Sequence, residues 1–312
     1  MGESKIFGEV VMLELNKVFC GDCLELMQEI DDKSVNLAIL DLPYNIKKDS
    51  WDRVENYEEW VGEVLLEVQR VLKDNGSMYF FHNKMPMISK LMIWVENNSK
   101  FVFKNLITWN KAFIGSEMEA FAVQKFSINM SRNYRSDFIE YILYYDFGNQ
   151  FQRVLINEIQ EKKLREIDFR KLRMSANNNP TGWCSNILHG KNIPTEEDWE
   201  LICSLIGEYD YNDLVQPFNT LHNNGKFNDF NSANWLYNPA PKIGHVTPKP
   251  IDLLQNIILH SSNEGDIILD PTCGSGSTCV AARELGRNFI GIEKEEKYCQ
   301  IAEERLQNCG KV

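Results

Sequence analysis

The sequence predicts an α/β fold in which a mainly parallel central sheet carries helices on both faces and is interrupted by an insert. Three observations predict it. Strand–turn–helix units recur near both ends of the 312-residue chain. The stretch VNLAIL (35–40) is an almost unbroken apolar run, the pattern of a parallel strand buried on both faces. Between 148 and 235 asparagine becomes frequent and the apolar periodicity weakens, which sets that region apart.

Taken in order, KVFC (17–20) reads as a strand, GD as its turn and CLELMQEI (23–30) as a helix with Leu24, Met27 and Ile30 on one face. VNLAIL is the second strand, and it stops on Asp41. The stretch YEEWVGEVLLEVQRVLKDNG (57–76) sets Tyr57, Val61, Val64, Val68 and Val71 on one stripe, with Asn75-Gly76 as the expected helix stop. SMYFFH (77–82) and FKNLITWNK (103–111) follow as strands. Inside the insert, residues 151–174 read as one helical stretch. IPTEEDWELICSLI (193–206) reads as a helix with Thr195 as N-cap and Asp198 near the capping-box position. At the far end GDIILD is a strand, PTCGSGS a glycine-rich turn, and TCVAARELG a short helix that Gly286 can end. RNFIGIE and KEEKYCQIAEERL follow as a strand and a last helix. The expected division is a sheet domain from 1–147 and 236–312, with an insert at 148–235.

Composition bounds the function. No apolar run approaches the ~20 residues that span a bilayer. The N-terminus lacks the pattern of a secretory signal, so a cytoplasmic protein without a membrane partner is expected. The net charge of −12 argues against indiscriminate nucleic-acid binding. A local basic face is still present at 161–173, where Lys162, Lys163, Arg165, Arg170, Lys171 and Arg173 outnumber the acids. Such a run is either a solvated helix face or a contact for phosphates. Cys20 and Cys23 form a C-x-x-C between strand and helix, the setting of a redox pair. A zinc site would need a second pair of similar spacing, so no metal is expected.

In LDPTCGSGST, Gly274 and Gly276 directly follow a strand and precede a helix. Glycine there permits a sharp turn and close backbone approach, and the helix start offers free N–H groups. Glu293 stands on the next strand at about the spacing where a carboxylate grips ribose hydroxyls. The full dinucleotide fingerprint and the triphosphate-loop lysine are both missing. A ligand with a ribose and a carboxylate fits better, and S-adenosylmethionine has both.

Three motifs carry a resemblance. DLPYN (41–45), followed by SWD (50–52), resembles the D-P-P-Y motif of the amino-directed DNA methyltransferases; DPTCGSGST resembles their cofactor loop, and HVTPKP (245–250) their H-P-T-Q-K-P element. The D-P-P-Y-like motif comes first, which is the circularly permuted order of the β class. The resemblance covers roughly 10–147 and 235–308. It implies a Rossmann-like S-adenosylmethionine-dependent methyltransferase fold and a target-recognition region in the insert.

The implied roles follow position by position. Asp41, Leu42, Pro43 and Tyr44 form the catalytic turn. Asp22, Asp41, Thr247, Lys249, Asp270, Thr272, Cys273, Gly274, Gly276 and Glu293 surround the cofactor. Among these, Asp22 faces its adenine, Glu293 its ribose, and Thr247 and Lys249 its carboxylate; Asp22 as a plain helix cap and Lys249 as a surface lysine stay open. Arg132, Arg135 and the basic residues of 162–173 would meet double-stranded DNA. Trp183 and Trp199 are either buried or base-stacking. Leu42 departs from the usual first proline, and Thr272 from the usual phenylalanine.

The chemistry agrees. An exocyclic amine is a poor nucleophile because its lone pair is delocalised into the ring. It must be aligned and drawn towards tetrahedral geometry by acceptors for both N–H groups. Asp41 and the Leu42 carbonyl can supply them, Pro43 stiffens the turn, and Tyr44 offers a face for a flipped base. Adenine N6 is the expected target. Cytosine N4, an impaired DNA-binding homologue and an RNA methyltransferase are the alternatives. Similar enzymes commonly form homodimers, but no residue pattern here specifies one, and none indicates a paired restriction endonuclease.

Overall fold

The computed structural model describes residues 13–45, 52–111, 139–148, 150–172, 183–188, 194–211, 233–241 and 248–309. The chain divides into two compact units, Met1–Asp146 with Asp229–Val312, and Phe147–Asn228.

The first unit is built on eight strands: β1 (Lys17–Cys20), β2 (Val35–Leu40), β3 (Leu72–His82), β4 (Val102–Asn110), β5 (Ile139–Asp146), β6 (Asn234–Leu236), β7 (Ile267–Asp270) and β8 (Asn288–Glu293). They lie in the order β1-β8-β7-β2-β3-β5-β4-β6. β5 runs antiparallel to both its neighbours, and every other pairing is parallel. The expected insert boundary at 235 falls inside β6, whose Trp235 pairs with Trp109 of the sheet.

Helices of this unit are α1 (Cys23–Met27), α2 (Tyr57–Val71) and α3 (Met85–Asn98). Leu37, Ile39, Tyr79 and Phe81 on one sheet face share a core with Leu254 and Ile257 of a helix at Ile251–Ser261 and with Ala281 of another at Ser277–Glu284. Their alternates Ala38, Leu40, Met78 and Phe80 are buried too, so both faces are covered. Each such large apolar side chain contributes about 1.5–3 kcal/mol of burial.

One boundary differs from expectation. α2 stops at Val71, not at Asn75-Gly76, and β3 begins at Leu72. Leu72 is buried and pairs with Val35, after which the β2–β3 register shifts. Pairing with a buried neighbouring strand therefore takes residues 72–76 that local signals assign to a helix end.

The second unit is helical: α4 (Gln150–Glu161), α5 (Glu166–Arg170), α6 (Trp183–Leu188) and α7 (Glu196–Ile206). Leu155, Phe169, Ile187, Trp199, Ile202 and Ile206 form its core. The expected single helix over 151–174 is broken. Lys163 takes a left-handed φ of 52°, and the Asp168 carboxylate accepts from the Arg165 N–H at 2.9 Å, starting a new helix. The break lets Phe169 turn inward, where it is fully buried. Thr195 caps α7 as expected: its hydroxyl accepts from Asp198 N–H and the Asp198 carboxylate accepts from Thr195 N–H.

The remaining helices of the first unit are α8 (Ile251–Ser261), α9 (Ser277–Glu284) and α10 (Glu296–Asn308). Among the described residues no helix is long and apolar enough to cross a membrane.

Candidate active site

Parallel strands deliver their C-terminal ends to one edge of the sheet, where open α/β folds bind ligands. A cavity of about 540 Å³ opens there, lined by residues that follow β1, β2, β3, β7 and β8.

One side of the cavity is the glycine-rich turn. Gly274 and Gly276 have φ of 53° and 75°, in the region that favours glycine. A Cβ on Gly276 would meet the Ala302 Cβ at 2.8 Å, so the turn needs glycine for α10 to pack on it. Gly276 N-caps α9. Glu293 is buried, and its two oxygens accept from the Gly274 N–H at 2.9 Å and the Glu295 N–H at 2.8 Å. Its carboxyl is raised by burial, against which those N–H donors act. Asp270 ends β7 and accepts from the Thr272 N–H at 3.1 Å. Burial, opposed by bonds from Thr278 and Thr272 and helped by Asp41 and Glu293, lifts its carboxyl to about 7. Cys273 is buried, its thiol held protonated by a bond with Cys279 and by burial. The buried Thr272 hydroxyl oxygen lacks a hydrogen-bond partner.

Asp22 lines the same cavity and caps α1, accepting from the Leu24 N–H at 3.0 Å, while Lys294 reaches its other oxygen at 3.1 Å. A cap and a cavity wall are thus one residue. The redox reading of the neighbouring C-x-x-C does not fit: Cys20 is exposed, and burial pushes the Cys23 thiol up to about 12, far from a reactive thiolate.

Opposite lies the turn after β2. Asp41, Leu42, Pro43 and Tyr44 all line the cavity. The Tyr44 hydroxyl donates to Asp41 Oδ1 at 2.8 Å, and Lys249 Nζ donates to Asp41 Oδ2 at 2.5 Å. The Tyr44 ring packs 4.9 Å from that of His82. Leu42 is 1% exposed, so an apolar anchor stands where the resembling family has its first proline. Asn45, at φ 53°, closes the turn through bonds with the Val54 backbone at 3.1 and 3.3 Å.

Lys249 is no surface lysine. It is buried, 2.5 Å from Asp41 and 3.5 Å from Glu140, and lies over the Tyr44 and Phe81 rings at 5.5 and 5.2 Å. Burial works against its charge, but Asp41 and Glu140 outweigh that and keep it protonated. Glu140 is the residue that sequence reasoning missed. It is buried on β5; burial opposes its charge, yet Lys249 and Lys111 hold its carboxyl below the usual range. The signal was there, since an acid inside the apolar strand IEYILYYD is as anomalous as Asp41.

The candidate DNA-contacting residues fall in the second unit or outside the described residues. Lys162 bonds to the Ile206 carbonyl and pairs with Glu158, while Arg165 and Lys171 pair loosely with Asp168 at 3.6 and 3.7 Å. Arg165 and Lys171 remain 75% and 64% exposed, so their charges face solvent. Lys163 occupies the helix break, and Arg170 ends α5. Trp199 is a core residue whose indole donates to the Tyr209 carbonyl. Thr247, Arg132, Arg135, Arg173 and the Trp183 side chain lie outside the described residues.

Comparison with known proteins bears on this geometry. A family model described as DNA methylase matches residues 35–304. The type II methyltransferase M1.MboII of Moraxella bovis is 28% identical over 303 residues, covering 93% of this chain and 96% of its own. The DNA adenine methyltransferase YhdJ of Escherichia coli (strain K12) is 28% identical over 94% of this chain and 83% of its own. The crystal structure of a DNA modification methylase from Thermus thermophilus, TTHA0409, complexed with S-adenosyl-L-methionine, superposes with a TM-score of 0.53 at 20% identity, covering 94% of this chain and 95% of that one.

Proposed function

The chain belongs to the DNA methylase family, and we propose that within it this enzyme methylates the N6 amine of adenine in double-stranded DNA. S-adenosylmethionine is the methyl donor of the family. One observation carries the reading: the Asp41–Tyr44 turn and the glycine-rich turn line the same cavity, so an amine clamp faces a nucleoside-type site.

The residues present fit that cofactor. Asp22 and Glu293 offer carboxylates to hydroxyl and amino groups, Gly274 and Gly276 leave room for close approach, and the buried Thr272 hydroxyl awaits a partner. When bound, S-adenosylmethionine supplies an electrophilic methyl group. Asp41 accepts one amine hydrogen and the Leu42 carbonyl the other, drawing the nitrogen lone pair out of conjugation for direct in-line displacement. Tyr44 stacks on the flipped base, and Asp41 takes up the proton that the amine sheds. An acid at the first position of the motif, together with YhdJ being named an adenine methyltransferase, favours adenine over cytosine.

The motif order, with Asp41–Tyr44 before Asp270–Thr278, supports the permuted β class. The helical unit at 147–228 is assigned to target recognition, acting in the cytoplasm, and a homodimer is the proposed assembly by analogy with similar enzymes.

The test is transfer of a labelled methyl group from S-adenosylmethionine to unmethylated DNA, followed by digestion and mass separation of the nucleosides. Labelled N6-methyldeoxyadenosine, lost on Asp41→Ala while cofactor binding persists, is the expected result. Label on N4-methyldeoxycytidine would overturn the target and keep the clamp.

A further inference from the structure

Both acceptor oxygens of Asp41 are occupied, one by the Tyr44 hydroxyl and one by Lys249. An incoming amine must therefore displace at least one occupant. Expelling a buried ammonium into an apolar cavity without a counter-charge would be strongly unfavourable. The cation needs somewhere to go.

Each occupant of Asp41 faces the same second acceptor. Lys249 Nζ is 3.5 Å from Glu140 Oε2, and the Tyr44 hydroxyl is 3.4 Å from that same oxygen. Both distances are a little longer than a good hydrogen bond, so a shift of less than an ångström would close either contact. Glu140 is itself fixed: its other oxygen pairs with Lys111, which also lies over the Trp109 ring. Two carboxylates and two lysines balance in charge whichever carboxylate Lys249 favours.

We propose that Glu140 is a positioning residue of the methyl transfer, the second seat to which Lys249 moves when the target amine takes Asp41. Lys249 rests on Asp41 while the site lacks a base, sparing it an unpaired buried carboxylate. On base entry the ammonium slides to Glu140, Tyr44 loosens from Asp41, and the carboxylate becomes a free double acceptor. No bond is made or broken in this exchange. Hydrogen bonds alone are traded.

The inference rests on the amine-clamp reading above, and its test separates the two. Glu140→Gln keeps the shape and removes the charge, leaving Lys249 held on Asp41. For the full-length enzyme, kcat/KM for methylation of unmethylated DNA should fall about 100-fold, the scale set by misplaced reacting groups. Calorimetric affinity for S-adenosylhomocysteine should stay unchanged. In a Lys249→Met background, which has no cation to receive, the same Glu140→Gln change should cost no more than about 2-fold, the limit for uncoupled sites. Full multiplication of the two effects would overturn the proposal, as would an unimpaired Glu140→Gln enzyme. Loss of S-adenosylhomocysteine binding in Glu140→Gln would make Glu140 a support of the pocket and overturn it too. A wild-type enzyme that leaves DNA unlabelled would instead remove the amine-clamp reading.

Discussion

Asp270 shows how a single side chain records its surroundings. It ends β7 fully enclosed, between the carboxylates of Asp41 and Glu293, and its carboxyl rises from 3.8 to about 7. An acid whose folded value is raised binds more protons folded than unfolded between those two values. Folding stability therefore falls as pH rises across that window and levels off above it. The span of roughly three pH units corresponds to at most about 4 kcal/mol. Asp270→Asn removes that dependence and still offers an oxygen to the Thr272 N–H. Urea unfolding at pH 4 and pH 8 should show the wild type losing stability relative to Asp270→Asn as pH rises; parallel behaviour of the two would refute the assignment.

At the scale of elements, the site depends on how turns end strands. The glycine-rich turn joins β7 to α9, and Gly276 holds it in a left-handed conformation hard against Ala302 of α10. Gly276→Ala combines an unfavourable φ with a 2.8 Å contact to a backbone-anchored methyl, so neither partner can yield easily. The expected cost is on the order of 1–3 kcal/mol of stability, with weakened S-adenosylmethionine binding by calorimetry. Unchanged thermal midpoint and affinity would show that α10 shifts freely.

The whole molecule is acidic yet acts on a polyanion, so its favourable contacts with DNA must be local. Arg165 and Lys171 of the helical unit keep their charges in solvent, since their pairing with Asp168 is long and exposed. Replacing both with alanine should raise KM for DNA and lessen the salt dependence of binding by about two counterions, leaving S-adenosylmethionine affinity alone. If the salt dependence is unchanged, that basic run is a solvated face and DNA docks elsewhere.

What the sequence determined by itself is whatever local patterning encodes. Buried strands read as apolar runs, the glycines between β7 and α9 announced a turn, and Asp41 stood out as an acid closing such a run. The Thr195 cap was legible because its partner Asp198 is three residues away. Tertiary structure alone decided the rest. Residues 72–76 joined β3 because Leu72 pairs with Val35. The helix of 151–174 broke at Lys163 so that Phe169 could enter the core of its unit. Lys249 became the partner of Asp41 although 208 positions separate them, and Glu140 joined both from another strand. Hydrogen bonds within a turn leave a short-range pattern in the chain. An ion pair across a folded sheet leaves none, because its distance is set by the packing of every strand between the partners.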